Sequence, residues 1–196
     1  MTASEYQLNV LENCKQIFPG HEIKSEWAAF TGNLYQYSPR VDIAVGPFNV
    51  APGPNLVEDY NDLIISKPIK DFLEVAINFH IQNANLELYN QMVHPEFNSI
   101  ININQNARCL IAIEIENTNS KKHMMGSIIN AASLGRVGIG IAYCASALRT
   151  FLRIVNYLNF LRRVGKNTYN SANFLILSSN QFNELIGYEM EEVIYR

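Results

Sequence analysis

Two acidic residues interrupt an apolar run near the middle of the chain. Within residues 111–117, isoleucine and alanine surround Glu114 and Glu116, which are two positions apart. A β-strand places residues i and i+2 on the same face, so these carboxylates project side by side. Like charges in a buried strand are costly unless a cation lies between them, and a divalent metal ion commonly binds clustered oxygen ligands. The spacing therefore predicts a metal site. The simpler alternative is an edge strand whose polar face is solvated.

A second acidic strand supplies a further oxygen ligand. Residues 41–45 alternate in the same way, and Asp42 lies between two β-branched apolar residues. One acid on one strand and two on the next can hold one or two Mg²⁺ or Mn²⁺ ions for phosphodiester hydrolysis. We predict that Asp42, Glu114 and Glu116 converge at one end of a sheet and act as metal ligands and catalytic groups.

The elements that must position these residues follow from hydrophobic periodicity and turn residues. The pattern predicts helices at 6–18, 68–93, Lys121–Leu134 and 147–164, strands at 23–30, 34–37, 41–45, Cys109–Glu116, 137–143 and 174–177, and a surface turn at 98–106. The first two strands form a hairpin around Thr31-Gly32-Asn33 in this prediction. From residue 41 onward, strand–helix–strand units indicate an α/β domain with a mixed central β-sheet flanked by helices on both faces.

This order of strands and acids resembles the PD-(D/E)XK, or restriction-endonuclease-like, nuclease superfamily. In that family an Asp on one core strand and an acidic-x-Lys triplet on the next build the metal site, and a helix then packs on the sheet. The resemblance implies that Asp42 is the first acid, that Glu114 is the second, and that Glu116 stands where the Lys usually is. It also implies one nuclease-like domain over residues 1–196. Its core spans 23–50 and 109–177, and 51–108 is an insertion.

The glutamate in place of the lysine leaves alternatives open. Some restriction enzymes of this fold have Glu there, which is compatible with catalysis. A displaced Lys121 or Lys122, at the start of the next helix, could stabilise charge in the transition state. The third alternative is a nuclease-like module that binds nucleic acid or serves in assembly without cutting. Glu12 and Glu26 could each add a carboxylate to the site. For Glu12, the simpler alternative is an exposed helix glutamate.

The charge of the chain is unevenly distributed along its length. The 196 residues carry a net charge of −3, and residues 1–116 contain fourteen acidic and six basic residues. Between residues 117 and 183 there is no acid, and the eight basic residues are Lys121, Lys122, Arg136, Arg149, Arg153, Arg162, Arg163 and Lys166. A basic segment of this kind can contact a phosphate backbone, and nucleic acid is the expected partner, with DNA favoured over RNA. The alternative is a set of ordinary solvated helix faces.

Membrane insertion and secretion are not expected from the sequence. No apolar run reaches the roughly 18 residues needed to span a bilayer, and the first residues lack the charged and apolar regions of a signal peptide. Cys14, Cys109 and Cys144 are odd in number and far apart, with neither zinc-site spacing nor a disulfide framework. We therefore predict a cytoplasmic protein with reduced cysteines.

The segment 51–108 carries more apolar residues than the minimal core needs. On a helix Phe72, Phe79 and Leu86 share one face, whereas Ile77, Leu88 and Tyr89 point in other directions. A helix that is apolar on more than one side needs more than one partner surface, which a homodimer could supply. The alternative is that the segment folds back and completes its own core.

Overall fold

A mixed sheet of five strands organises the part of the chain that the computed structural model describes, residues 2–30, 38–50, 57–88, 95–118 and 120–187. The strands are β1 (Ile23–Ala28), β2 (Arg40–Val45), β3 (Cys109–Glu116), β4 (Gly135–Ala142) and β5 (Phe174–Ser178). They lie side by side in sequence order. The pairs β1–β2 and β2–β3 are antiparallel, and the pairs β3–β4 and β4–β5 are parallel. The predicted α/β class with a mixed central sheet is confirmed.

Helices cover both faces of this sheet. They are α1 (Ala3–Ile17), α2 (Val57–Ile64), α3 (Lys67–Leu88), α4 (Phe97–Ile100), α5 (Lys121–Leu134), α6 (Ala145–Arg163) and α7 (Ser179–Leu185). On one face, side chains of α1, α2, α3 and α7 pack with Ile111 and Ile113 of β3 in one hydrophobic cluster. On the other face, side chains of α5 and α6 pack with Ala112 of the same strand. Because side chains alternate along a strand, Glu114 and Glu116 share the face of Ala112.

Glycines of β4 allow a large aromatic ring to pack on the α5–α6 face. A Cβ atom at Gly138 would lie 2.8 Å from the ring of Phe174, and one at Gly140 would lie 2.5 Å from it. Phe174 is buried in the cluster that α5 and α6 form with the sheet. The glycines therefore leave the space that this ring fills between β4, β5 and the covering helices.

The free edge of the sheet at β5 is covered by α3. The Ile176 backbone N–H donates to Nδ1 of His80 at 3.0 Å, and the Ile176 carbonyl accepts from Nδ2 of Asn83 at 3.0 Å. An uncovered edge strand presents unpaired backbone groups that can pair with another chain. These two side chains of α3 form hydrogen bonds with both backbone polar groups of Ile176 at this edge, and His80 is 2 % exposed.

Several predicted elements differ from the observed ones. β1 pairs with β2, and the predicted strand 34–37 with its turn lies outside the described residues. The prediction contained neither α2 nor α7. The predicted surface turn at 98–106 overlaps α4 and contains buried Ile100 and Ile101. These segments bury apolar side chains against distant elements, which local periodicity does not reveal.

The segment between β2 and β3 contributes to the core on the face opposite the acids. Phe72 and Ile77 of α3 are buried in the same cluster as α1 and the isoleucines of β3. Leu86, which the periodicity places on one helix face with Phe72 and Phe79, is exposed, and Val75 is exposed as well. The predicted shared face is therefore buried at Phe72 and exposed at Leu86. Within the described ranges, no helix combines the length and the apolar character needed to cross a membrane.

Candidate functional site

Two of the predicted acids lie next to each other on neighbouring strands. In the β2–β3 ladder Ile43 is opposite Ile113, and Ala44 is opposite Ala112. Extending this antiparallel register by one residue sets Asp42 opposite Glu114. Asp42 is near the start of β2 and Glu114 is near the end of β3. Both residues therefore lie at the end of the sheet where the parallel strands β3, β4 and β5 have their C-terminal ends. The residues thus meet at one end of the sheet.

The Asp42 side chain takes the place of a ladder hydrogen bond. Its Oδ2 accepts from the backbone N–H of Ile115 at 2.7 Å. The pKa of Asp42 is raised to about 6, chiefly by burial and also by the negative charges of Glu26 and Glu116, while the Ile115 hydrogen bond acts to lower it. Asp42 is thereby held in place on one oxygen, and its charge is unfavourable in the absence of a cation.

Glu114 is the most strongly perturbed carboxylate among the described residues with a stated pKa. It is 7 % exposed. Burial, together with the negative charges of Asp42, Glu116 and Glu26, raises its pKa to about 9. No hydrogen bond within the described part of the chain contributes to this shift. A buried carboxyl group among like charges is stabilised either by a proton or by a cation.

Glu116 is bound to the first turns of α5. Its Oε1 accepts from Oγ of Ser127 at 2.9 Å and lies 3.0 Å from Nε2 of His123, while Oε2 accepts from Oγ1 of Thr118 at 3.3 Å. Ser127 is not among the site residues predicted from the sequence. His123 and Ser127 are four residues apart on α5 and therefore share one side of it. That spacing, on the helix directly after the acidic strand, is the signal that could have identified them.

The predicted lysines lie at the exposed start of α5. This helix begins after Ser120, whose Oγ accepts from the backbone N–H of His123. Lys121 and Lys122 occupy its first two positions and are exposed. Neither forms an ion pair with a carboxylate of the described residues, and His123 is the α5 residue that contacts Glu116. The two lysines therefore belong to the helix that contacts Glu116, but no ion pair joins either of them to Asp42, Glu114 or Glu116.

The additional carboxylate near the site comes from β1. Glu12 on α1 is exposed and pairs with Lys15 at 2.7 Å, and its charge is not among those that shift the pKa of Asp42 or Glu114. Glu26 shifts the pKa of both. Glu26 has a positive φ of 48°, and its carboxylate accepts from Nε2 of Gln7 at 3.0 Å. A backbone of this kind is uncommon for a non-glycine residue and is often found at functional positions.

The donor set fits a hydrated divalent ion better than a fully protein-enclosed one. Among the described residues there is no group of three or more His, Cys, Asp or Glu side chains placed to hold a metal ion. Asp42, which is partly buried, and Glu114, which is buried, both have raised pKa values, so their negative charges are unfavourable without a cation. Mg²⁺ usually keeps several waters and is bound through one or two carboxylates together with substrate phosphates. Two adjacent carboxylates therefore suit Mg²⁺ or Mn²⁺.

Comparisons of the chain with known proteins add no functional assignment. Neither protein-family models, nor curated proteins, nor solved structures gave a match. Function is therefore inferred from the residues of this site and from their positions on the sheet.

Proposed function

We propose that the protein is a metal-dependent nuclease that hydrolyses nucleic-acid phosphodiester bonds at the site formed by Asp42, Glu114 and Glu116. The observation that supports this most directly is the adjacency of Asp42 and Glu114 across β2 and β3. Both side chains are held at one end of the sheet with unfavourable negative charge. A binding site for a divalent cation beside a phosphate explains why such charges are kept together.

The order of strands adds support for a restriction-endonuclease-like fold. The two acidic strands are consecutive and antiparallel, and the helix after the second one, α5, packs on the face that carries the acids. The family resemblance implies this arrangement of an acid on one core strand, two positions of the motif on the next, and a helix on the sheet. The fold assignment is part of the proposal.

Each residue has a distinct role in the proposed reaction. Asp42 and Glu114 hold Mg²⁺ or Mn²⁺, which, when bound, polarises the scissile phosphate and lowers the pKa of the attacking water. Glu116, fixed by Ser127 and His123, orients water beside the other acids. Lys121 or Lys122, at the exposed start of α5, is a candidate to stabilise the charge that develops on the phosphate.

Matched carboxylate variants test this proposal. Asp42→Asn and Glu114→Gln remove the charges but keep the shapes, and we expect cleavage of plasmid, single-stranded DNA or RNA in Mn²⁺ to fall at least ~100-fold in each. Glu12→Gln, which neutralises an exposed carboxylate on α1, is the control and should cleave like the wild type. EDTA should abolish cleavage. Activity that survives EDTA or Asp42→Asn would exclude this mechanism, and cooperative thermal unfolding would show that the variants fold.

A second function is favoured by Glu116. This residue stands where the resemblance implies a lysine, and its oxygens are occupied by three side chains. Both facts suit a nuclease-like module that binds nucleic acid, or serves in assembly, without cutting. Salt-sensitive binding without cleavage in Mg²⁺ or Mn²⁺, unchanged by Asp42→Asn, would select this alternative.

Localisation in the cytoplasm and pairing with a second copy are further parts of the proposal. Cys14, Cys109 and Cys144 are free thiols in the structure, as is usual for proteins of reducing compartments. The exposed apolar residues of α3 could support a homodimer.

A further inference from the structure

The outer face of α6 combines arginines with exposed apolar side chains. Its inner face, which includes Phe151, Leu152 and Val155, is buried against the sheet. On the outer face, Tyr157 is 51 % exposed and Phe160 is 49 % exposed. At ~3.6 residues per turn, four exposed residues of α6 fall within about 80° of the helix circumference, in the order Arg149, Phe160, Arg153 and Tyr157. We call this set the α6 stripe.

The charge of the α6 stripe has one sign. Arg149 and Arg153 form no ion pair with a carboxylate of the described residues, and the chain from residue 117 to 183 contains no acid. By contrast, Lys67 and Lys70 on α3 each pair with a carboxylate four residues later. Unpaired arginines on an otherwise acid-free segment attract a polyanion.

The aromatic residues indicate which polyanion fits. Phe160 lies between the two arginines around the helix, and Tyr157 lies beside Arg153. Nucleobases of a single strand stack on exposed aromatic rings while arginines contact the phosphates, whereas the bases of a duplex are stacked on one another. A membrane-surface helix instead separates an apolar face from a charged face. The apolar face of α6 is already buried, and its outer face mixes arginines with aromatic side chains. A membrane surface therefore fits this helix less well than a single-stranded nucleic acid does.

A cavity of about 700 Å³ is lined by other residues of α6, among them Asn156 and Asn159, which directly precede Tyr157 and Phe160 of the stripe in the sequence. Its apolar lining includes Val155 and Phe174, and its polar lining includes Asn156, Asn159 and Arg163 of α6, with Glu96 as an acidic member. Apolar walls with a few amide groups suit a planar base, whose faces are apolar and whose edges carry hydrogen-bonding groups. The cavity could thus receive a base of a strand that lies along α6.

We infer that the α6 stripe and this cavity bind single-stranded nucleic acid. The 19 residues of α6 span about 28 Å at ~1.5 Å per residue, and the helix begins at the sheet edge where Asp42 and Glu114 lie. A single-stranded nucleic acid bound along the α6 stripe would therefore extend toward the acidic site. This inference rests on the proposed nucleic-acid function and specifies a single strand as its substrate class.

Binding in EDTA tests the inference separately from cleavage. Fluorescence anisotropy would compare a labelled single-stranded thirty-nucleotide oligonucleotide of mixed sequence with its duplex over a range of NaCl concentrations. We expect Tyr157→Ala/Phe160→Ala to weaken single-strand binding about 10-fold or more with little change in salt dependence. Arg149→Gln/Arg153→Gln should weaken binding at low salt and lower the magnitude of the log–log salt slope by about 2. Asn156→Ala/Asn159→Ala should weaken single-strand binding about 3-fold or more.

Two controls make the result decisive. Lys67→Gln/Lys70→Gln removes two paired charges from α3 and should leave single-strand binding unchanged. Equal losses in this control, equal binding of single strand and duplex, or no effect of the aromatic variant would overturn the inference. So would binding to phosphatidylserine vesicles in place of the oligonucleotide. An unaffected asparagine variant would exclude the cavity. EDTA is the second control, because it suppresses metal-dependent cleavage, so that failure of the nuclease proposal and failure of this inference give different results.

Discussion

Glu114 couples the candidate site to the stability of the fold. Its pKa of about 9 in the folded protein lies above the ordinary value of 4.5, so the folded state binds its proton more tightly than the unfolded chain does. The free energy of unfolding of the metal-free protein should therefore fall as the pH rises from about 4.5 to about 9, by at most ~1.4 kcal/mol per pH unit from this group. Asp42, with a pKa of about 6, adds the same sign between about 3.8 and 6.

Urea denaturation at several pH values in EDTA would measure this linkage. Glu114→Gln cannot ionise and should remove most of the fall between pH 6 and 9, whereas Glu12→Gln, at an exposed position, should keep it. Added Mg²⁺ should restore stability to the wild type at pH 8, because the ion binds the ionised form. If the free energy of unfolding varies with pH in the same way in the wild type and Glu114→Gln, then Glu114 has the same pKa in the folded and unfolded states, which would contradict the prediction.

The three central acids could be found from the sequence, but their environments could not. Alternation of apolar and acidic residues identifies Asp42, Glu114 and Glu116 because a strand has a period of two. The bond from the Ile115 backbone to Asp42 joins residues 73 positions apart and depends on the register between β2 and β3. No short turn fixes that register, because residues 46–108 separate β2 from β3.

At the scale of elements, the sequence predicts best where both ends of an element are marked. β3 and α5 have the predicted bounds, since apolar alternation defines the strand and Ser120 caps the helix. α7 was missed although Ser178 and Gln181 form a capping box, which is a readable signal for a short helix. α2 follows a proline-rich segment, and the sequence pattern predicts no helix between that segment and residue 68.

Two glycine substitutions test how tightly the elements around the site pack. At Gly140 of β4 a methyl group would lie 2.5 Å from Phe174 and 3.3 Å from Phe151, so Gly140→Ala should lower the free energy of unfolding by about 1–3 kcal/mol. Gly126 in α5 has nothing within 4 Å of an added Cβ, so Gly126→Ala should raise it by about 0.5–1 kcal/mol through helix propensity.

Chemical denaturation of the two glycine variants would check both signs. Gly140 is paired in register with Glu114, so a shift of β4 or Phe174 would also disturb the acidic site. We expect Gly140→Ala to lose nuclease activity more than Gly126→Ala does. A stable, fully active Gly140→Ala protein would mean that Phe174 can move away at little cost.

At the scale of the whole molecule, opposite charges lie at neighbouring places on one face of the sheet. The carboxylates occupy the ends of β2 and β3, and α6, which carries the arginines, begins at the same edge. An acidic pocket alone would repel a nucleic acid, whereas an adjacent basic helix can attract the phosphates and deliver them to a bound cation. The net charge of −3 hides this arrangement because the charge of −8 on residues 1–116 (six basic, fourteen acidic) is cancelled by the eight basic residues of 117–183.

The homodimer is the prediction that belongs to the molecule as a whole. Phe72 and Ile77 are buried within the chain's own core, so they no longer require a second copy. Val75 and Leu86 remain exposed, and Leu86 is 77 % exposed. These two residues are eleven positions, or about three turns, apart and therefore lie on one outer stripe of α3, together with partly buried Phe79. If two copies pair, this stripe is the apolar surface of α3 that can be covered.

Sedimentation at micromolar concentration tests the pairing. We expect the wild type to have twice the 22.2 kDa mass of the chain and Val75→Glu/Leu86→Glu to have that mass once, because charges on the stripe would have to be buried in the interface. Leu8→Glu, which adds a charge at an exposed leucine of α1, is the control and should remain a dimer. A wild-type mass near 22.2 kDa would mean that the segment between β2 and β3 completes the core of one chain and leaves the α3 stripe in solvent.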